Sequence, residues 1–442
     1  EETGEKVPHQ LIELSSPQAP TPFAGHRYAL RHIDRRHAIE LVFVAKDVPP
    51  MGYKAFRIIP SEAGGTFQTR IRATDTTLEN RFYRVTVDAK AGTISSIFDK
   101  ELNREIVDKE SVHGFNQFIV RTVGDGKLHA AQSSSVERGD VGPVFGSIIV
   151  KGDGLGCPQR TQEITVYEDL KRIDVANRLL KDSTPMLEMY FAFTFDVDGP
   201  KVKFEASGST ITPLVDQIPG SNTDYYPVQH WANVSGAGIG ITLSSIEAHL
   251  IEFGGLWQGY LSGAHHGVTY PGYGHEFLKP GEIRKGHMYS YVMNTNYRTN
   301  FQPIQVSDML FRYSFATHEG DWIEGGSSHF GWEVQNPLIS VCMKGKQDGA
   351  LPTSKSFCGI DKPNVMLLNM KAAEDGDGII LRIMETDGAD TTVTITLPFI
   401  DISTAYLTNL VEENERLLRC HRNLVVVDVK AFSIATIRIR YG

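Results

Sequence analysis

The side chains best suited to chemistry in this sequence cluster in one short loop. The loop contains three histidines, two tyrosines and one glutamate: His265, His266, Tyr270, Tyr273, His275 and Glu276. Prolines and glycines interrupt any regular backbone there, and such loops often carry sites on rigid β scaffolds. Tyrosine faces stack on sugar rings, and histidine and glutamate hydrogen-bond hydroxyl groups or transfer protons. The loop predicts a sugar-binding surface; an ordered turn packed on a sheet is the alternative.

Three carboxylates flank the apolar run from Tyr190 to Phe195. Glu188 precedes the run, and Asp196 and Asp198 follow it on one side of a predicted strand end. Paired carboxylates perform glycoside hydrolysis, but acids at a strand end are ordinarily solvated. The solvated interpretation is favoured, and no catalytic residue is assigned.

A second polar cluster contains His32, Asp34 and His37. Histidine and aspartate two residues apart point to one side of a strand and could bind a metal ion. The cluster lies between two apolar runs, however, and Arg31, Arg35 and Arg36 would repel a cation. A polar hairpin tip is favoured, and no metal site is predicted.

Charge and cysteine content exclude several classes of protein. The 44 Lys and Arg are scattered among 53 Asp and Glu, giving a net charge of -9, so a nucleic-acid partner is excluded. No apolar run approaches the roughly 18 residues of a membrane helix. Four widely separated cysteines indicate a reducing compartment rather than a disulfide framework, and predict a cytoplasmic protein. The chain begins Glu1-Glu2, without Met and without a signal-like apolar segment, which indicates a processed or cut chain.

The elements that must position these residues are strands. Val85 and Val87 alternate with polar residues, a turn at Gly92 follows, and a second run begins at Ile94, which predicts a hairpin. The segments from Val393 to Leu397 and from Ile437 to Tyr441 alternate in the same way. The best helical candidate, Val411 to Leu418, is short. The sequence therefore predicts an all-β chain with more than one sandwich.

Two segments poor in periodic apolar residues predict domain boundaries. One follows Pro60 and is rich in glycine, serine, threonine and alanine; the other runs from Lys344 to Pro363. They predict a small N-terminal β domain at residues 1–60, a large β unit at 61–345 and a C-terminal β-sandwich at 363–442.

Several segments, in order along the chain, resemble the β region of glycoside hydrolase family 38, the α-mannosidase family. They are Val48 to Lys54, Leu78 to Val85, Gly92 to Lys100, Val228 to Val234, Gly238 to Leu243, Tyr289 to Asn294, Thr299 to Phe301, Phe311 to Ser314, Leu367 to Lys371, Asn409 to Glu412 and Thr436 to Ile439. No single segment is diagnostic, but together they span nearly the whole chain.

The resemblance implies a galactose-mutarotase-like supersandwich flanked by two smaller β-sandwich domains. It also implies a catalytic α/β barrel, N-terminal to this region in the same polypeptide, that holds a zinc ion and the nucleophile. The zinc-binding roles are not transferred: His265-His266 is followed by Gly267, and His32-Ile33-Asp34 by arginines. No cofactor is therefore expected in this chain itself, and zinc is expected in the missing barrel.

Three functions remain open. The first is the non-catalytic β portion of an α-mannosidase-like hydrolase, which supports the barrel and shapes its pocket for a mannoside. The second is a stand-alone aldose mutarotase or epimerase, which would need a histidine acid and a glutamate base from His265, His266, His275, His287 and Glu276. The third is a carbohydrate-binding or structural module. The first is favoured: the parent would be a retaining, zinc-dependent enzyme, and this chain alone inactive. Homo-oligomerisation is left open.

Overall fold

The computed structural model describes residues 4–13, 39–60, 67–123, 125–257, 277–295, 302, 304–343, 345 and 349–442. Strands dominate these residues, and one α-helix lies among them, α1 (Ser327–Gln335). Across this part of the chain, no helix is long and apolar enough to cross a membrane.

The strands are numbered in chain order. The first eleven are β1 (His9–Glu13), β2 (Ile39–Phe43), β3 (Gly52–Lys54), β4 (Arg72–Ala73), β5 (Thr77–Glu79), β6 (Tyr83–Val87), β7 (Ile94–Asp99), β8 (Arg104–Glu105), β9 (Gln117–Thr122), β10 (Leu128–Ala130) and β11 (Ser133–Val141). The next twelve are β12 (Phe145–Gly154), β13 (Cys157–Tyr167), β14 (Ile173–Lys181), β15 (Leu187–Phe195), β16 (Lys201–Ala206), β17 (Ser209–Ile211), β18 (Tyr226–Pro227), β19 (Ala232–Gly236), β20 (Ile239–Ser245), β21 (Leu250–Phe253), β22 (Gly286–Asn294) and β23 (Ser307–Glu319). After α1 come β24 (Ser354–Ser356), β25 (Gly359–Ile360), β26 (Val365–Ala372), β27 (Ile379–Glu385), β28 (Thr391–Thr396), β29 (Ile402–Thr408), β30 (Asn414–Leu417), β31 (Arg419–His421), β32 (Leu424–Val429) and β33 (Ile434–Tyr441).

The chain divides into two compact units. The larger unit contains Pro8–Val44 and Thr66–Leu338, and the smaller unit contains Glu1–Val7, Ala45–Gly65 and Ile339–Gly442. The predicted boundaries at residues 60, 345 and 363 remain predictions about domains.

The larger unit is built on two broad antiparallel sheets. One has nine strands in the order β11-β12-β13-β14-β23-β20-β19-β16-β17, and the other has six in the order β10-β9-β15-β22-β21-β18. A further sheet, β4-β5-β6-β7-β8, adds side chains to the same core. Phe191, Phe193 and Phe195 of β15 and Tyr313 and Phe315 of β23 pack in that core. Alternation of apolar side chains on facing sheets produces this sandwich.

The smaller unit is a separate sandwich with its own core. Its sheets are β26-β27-β33-β29-β30 and β25-β28-β32-β31, and a two-stranded ribbon pairs β24 with β3. Val393 and Ile395 of β28 and Leu381 of β27 are fully buried between the two sheets. The alternation read from the sequence at 393–397 therefore marks the core face of a strand.

The predicted fold class is confirmed: the chain is all-β, with a large two-sheet sandwich and additional smaller sheets. The predicted hairpin is also confirmed, because β6 pairs with β7 around Gly92, which has a φ of 66°. The helix considered at Val411 to Leu418 is wrong. Residues 414–417 form β30, paired with β29, so tertiary pairing overrides the local preference of a short polar segment.

Candidate functional site

The loop predicted to bind sugar lies outside the described residues. His265, His266, Tyr270, Tyr273, His275 and Glu276 all belong to the segment 258–276, for which no placement is described. The cluster His32, Asp34 and His37 likewise falls within 14–38, outside the described ranges.

The structure instead brings together a polar and aromatic face on the six-stranded sheet. Every residue of β15 is buried, although only alternate side chains point into the main core. The others form the opposite face of the sheet, together with residues of β9, β21 and β22. We call this the polar face; its members are Arg121, Glu188, Tyr190, Glu252, Tyr289 and Tyr291.

Strand register decides which of these groups meet. Glu188 lies opposite Arg121 on β9, and Tyr190 lies opposite Tyr291 on β22. Glu252 of β21 lies opposite Tyr289 of β22. Directly opposed side chains in an antiparallel sheet are within contact distance, so four strands distant in sequence supply one continuous surface.

A buried ion pair forms one end of the polar face. Arg121 Nη1 donates to Glu188 Oε2 at 3.1 Å, with the two side chains only 6% and 1% exposed. The guanidinium also lies 5.4 Å from the centre of the Tyr190 ring. Burial disfavours the charge, but Tyr190, Glu252 and Glu188 around it raise the pKa of Arg121. This site can therefore hold a permanent positive charge away from water.

Glu252 is the second buried carboxyl group. Its Oε2 accepts a 2.7 Å hydrogen bond from the backbone N–H of Trp257. Burial raises the pKa of Glu252 to about 8, although Arg121 opposes the shift. At neutral pH Glu252 is therefore mainly protonated, and its O–H is a hydrogen-bond donor on the face.

Tyrosine rings cover much of the same surface. The Tyr190 and Tyr291 rings stack with centroids 4.7 Å apart, and Tyr225 meets Tyr291 edge-on at 6.1 Å. Farther along β22, the Tyr289 ring lies 5.8 Å from His113 in an edge-on arrangement. The Tyr190, Tyr289 and Tyr291 rings are nearly fully buried, so together with the ion pair they form a covered polar and aromatic layer on this side of the sheet.

A smaller cluster lies near the start of β22, centred on Asp108. His287 Nε2–H donates to Asp108 Oδ2 at 2.9 Å, and Lys285 Nζ donates to the same oxygen at 3.0 Å. Burial would raise the pKa of Asp108, but these two donors hold it below its ordinary value. Burial lowers the pKa of His287 despite the nearby carboxylate, so the imidazole is neutral at pH 7. An aspartate thus orients a neutral histidine, an arrangement that can transfer protons.

The structure separates the three carboxylates considered from the sequence. Glu188 is in the buried ion pair at the start of β15, whereas Asp196 and Asp198 are exposed just past its other end. Eight residues of extended chain span roughly 26 Å, compared with about 5–10 Å for the two carboxyl groups of a glycosidase. Glu188 therefore does not act with Asp196 as a catalytic pair.

The sequence patterns did not predict the polar face, because its members lie in strands that otherwise appear apolar. The one local signal is a polar side chain repeated at every second position: Glu188 and Tyr190, then Tyr289 and Tyr291. Among the residues described, no group of three or more histidine, cysteine, aspartate or glutamate side chains is placed to hold a metal ion.

Two family models match the sequence. The one described as "Glycosyl hydrolases family 38 C-terminal domain" matches residues 78–249. The one described as "Glycosyl hydrolases family 38 C-terminal beta sandwich domain" matches residues 364–437. The first match lies in the larger unit and the second in the smaller unit. No curated protein matches the sequence.

Two solved structures from Enterococcus faecalis share the fold. An alpha-mannosidase from Enterococcus faecalis V583 is 13% identical with a TM-score of 0.67, over 91% of this chain and 46% of that chain. A family 38 protein from Enterococcus faecalis is 11% identical with a TM-score of 0.67, over 100% of this chain and 53% of that chain. A galactose mutarotase-like protein from Lactobacillus casei ATCC 334 is 12% identical with a TM-score of 0.34, over 56% of this chain and 100% of that chain.

This chain spans about half the length of the two Enterococcus proteins. At these identities the structural likeness concerns the fold alone. The two family models match in the same order along the chain as the segments that resemble the family. The chain therefore belongs to glycosyl hydrolase family 38 and corresponds to the C-terminal β region of that family.

Proposed function

We propose that this chain is the β-rich, non-catalytic portion of an α-mannosidase-type glycoside hydrolase. The observation that carries the proposal is the consecutive match of two family 38 C-terminal models. In the proposed parent, catalysis on an α-mannoside takes place in a barrel domain of the same polypeptide, where a zinc ion is expected. This chain supports that domain and shapes its sugar pocket.

Two parts of the chain would serve the sugar pocket. The first is the loop of His265 to Glu276, whose histidines, tyrosines and glutamate suit hydroxyl groups and sugar rings. The second is the polar face, whose side chains are buried and would therefore support the pocket from behind rather than touch the sugar. A rigid sheet holds these side chains in fixed positions, as a pocket wall requires.

The test compares the full parent polypeptide with chain 1–442. The parent should hydrolyse an aryl α-mannoside, and the chain alone should not, because retaining hydrolysis needs two carboxyl groups about 5 Å apart. In the parent, Tyr273→Ala or His275→Ala should lower kcat/KM by about tenfold, through loss of sugar contacts. Hydrolysis by the isolated chain, or an inactive, well-folded parent, would refute the proposal.

One observation favours a second candidate, a stand-alone aldose epimerase. Asp108 orients His287, and the acid Glu252 projects from the same side of the six-stranded sheet as Tyr289. A histidine and a carboxyl group on one face could exchange protons with a sugar hydroxyl and ring oxygen. Polarimetry of α-glucose and α-galactose with chain 1–442 tests this candidate. A rate equal to the buffer rate excludes it for these two sugars.

A further inference from the structure

An exposed apolar patch surrounds the ribbon of β3 and β24 in the smaller unit. Its four members are Met51, Leu351, Phe357 and Phe399, with 50, 55, 40 and 49% of their surface exposed. We call these four residues the ribbon patch. Large apolar side chains exposed together, rather than singly, mark interaction surfaces.

Direct contacts join the members of the ribbon patch. The backbone N–H of Phe357 donates to the Met51 carbonyl at 3.0 Å. The rings of Phe357 and Phe399 lie 5.2 Å apart. On the other side, the Tyr53 ring is 6.0 Å from Phe357, and its hydroxyl donates to the carbonyl of Pro352, the residue after Leu351, at 2.6 Å. Met51, Phe357 and Phe399 are therefore joined, and Leu351 is adjacent to Pro352 on the other side, although these residues come from distant parts of the sequence.

The ribbon is too small to be stable by itself. Each strand contains three residues, and a two-stranded sheet is marginally stable in water unless another surface covers it. The pairing is also sterically specific, because a Cβ at Gly52 would lie 2.0 Å from the Lys355 carbonyl oxygen. A close, specific pairing that presents apolar rings to solvent is typical of a surface built for a partner.

We propose that the ribbon patch is the docking surface for the catalytic domain of the parent polypeptide. This inference rests on the proposed function. The two Enterococcus proteins with this fold contain about as much chain again outside the shared region. Residues 1–7 belong to the smaller unit, so a domain preceding them in the parent would be tethered to the unit that carries the patch. Tethering raises the effective concentration of the domain at this surface.

The chemistry of the patch defines the face of the partner. Lys355 contacts one of its rings, with Nζ 4.4 Å from the centre of the Phe399 ring. Apolar side chains should therefore cover Met51, Phe357 and Phe399, with an acidic or carbonyl group near Lys355 at the edge.

Hydrogen exchange of the full parent and of chain 1–442 tests the docking. Peptides covering 51–57 and 351–357 should exchange at least about tenfold more slowly in the parent, because docking suppresses local opening. Equal exchange in the two proteins would overturn the inference. Sedimentation of chain 1–442 tests whether a second copy of the chain, instead of the catalytic domain, covers the patch. A dimer that dissociates when the patch residues are substituted would also overturn the inference.

Paired substitutions supply the second readout. Phe357→Ser with Phe399→Ser should return exchange at 51–54 in the parent to the rate of the isolated chain. The control pair, Leu410→Ser with Val411→Ser, changes residues that are 63% and 74% exposed in the turn after β29, and should leave the protection unchanged. Protection that survives the patch variants would contradict the docking.

Different results would refute the docking surface and the proposed function. A parent that protects the ribbon but does not cleave α-mannosides would keep the docking surface and refute the enzymatic proposal. A parent that cleaves α-mannosides without protecting the ribbon would refute only the docking surface.

Discussion

At the scale of single residues, the polar face contains two buried carboxyl groups with different partners. Glu188 forms an ion pair with the guanidinium of Arg121, whereas burial keeps Glu252 protonated. The difference follows from their partners: one carboxylate has a direct ion pair, and the other accepts a backbone N–H. The polar face therefore buries an ion pair together with a neutral acid.

Removing Arg121 should strongly destabilise the larger unit. Arg121→Met leaves Glu188 buried without its guanidinium, which typically costs about 3–5 kcal/mol of unfolding free energy. Urea denaturation measures the loss. The control Lys151→Met breaks the half-exposed pair with Glu137 in the same unit, and should cost at most about 1 kcal/mol. Equal losses in both variants would contradict the interpretation of a desolvated pair.

Glu252 should make stability fall as the pH rises. Its pKa is about 8 in the folded chain and 4.5 in its ordinary state, so the folded protein binds the extra proton between these values. Stability is therefore lost on going from about pH 4.5 to about pH 8. Glu252→Gln, which mimics the protonated acid, should gain stability relative to the native chain across this window. Urea titrations at several pH values measure the unfolding free energies of the two proteins. A difference between them that does not change with pH would refute the pKa shift of Glu252.

At the scale of elements, the β6–β7 hairpin depends on its turn glycine. Gly92 has a φ of 66°, and a Cβ there would lie 2.7 Å from Ser133 Cβ and 2.8 Å from Val150 Cγ1. The turn thus combines a left-handed backbone with close packing against the strands of another sheet. Glycine meets both requirements because it has no Cβ.

Gly92→Ala should cost more than the backbone strain alone. The left-handed conformation costs about 1–2 kcal/mol for alanine, and the two contacts add to it. The control is Gly199→Ala. Gly199 has a φ of 58°, and a Cβ added there would have no atom within 4 Å, so this variant measures the backbone strain alone. The difference between the two unfolding free energies should exceed about 1 kcal/mol. Equal losses would show that the turn relaxes around the methyl group.

At the scale of the whole molecule, the two units have separate hydrophobic cores. One core contains Phe193 and its neighbours, and the other contains Leu381 with Val393 and Ile395. Each core is complete with its own sheets, which is the condition for independent cooperative unfolding.

Calorimetry should therefore detect two unfolding transitions. Phe193→Ala should lower the melting temperature of one transition and Leu381→Ala that of the other, since each truncation of a buried side chain costs about 2–5 kcal/mol. Both residues are fully buried, which makes the pair well matched. A single transition that both variants shift by similar amounts would contradict independent units.

Local patterns determined much of this protein. Period-two alternation at Val85 and Val87, at 393–397 and at 437–441 predicted strands, because one face of a strand is buried and side chains alternate between faces. The ordered family-like segments predicted the region of the family to which the chain belongs. The two-turn helix failed because residues 411–418 carry no strong pattern, and pairing with β29 decided their structure.

The polar face and the ribbon patch were decided only by tertiary structure. Arg121, Glu188, Glu252 and Tyr291 come from four strands, and register between distant strands brings them together. Alternation is a property of one strand and assigns a side chain to a face, but it contains no information about which strand will lie alongside. Gly52 likewise meets the backbone of Lys355, some 300 positions away, only because β3 pairs with β24. The sequence therefore determines which side chains are buried, and the pairing of the sheets determines which of them meet.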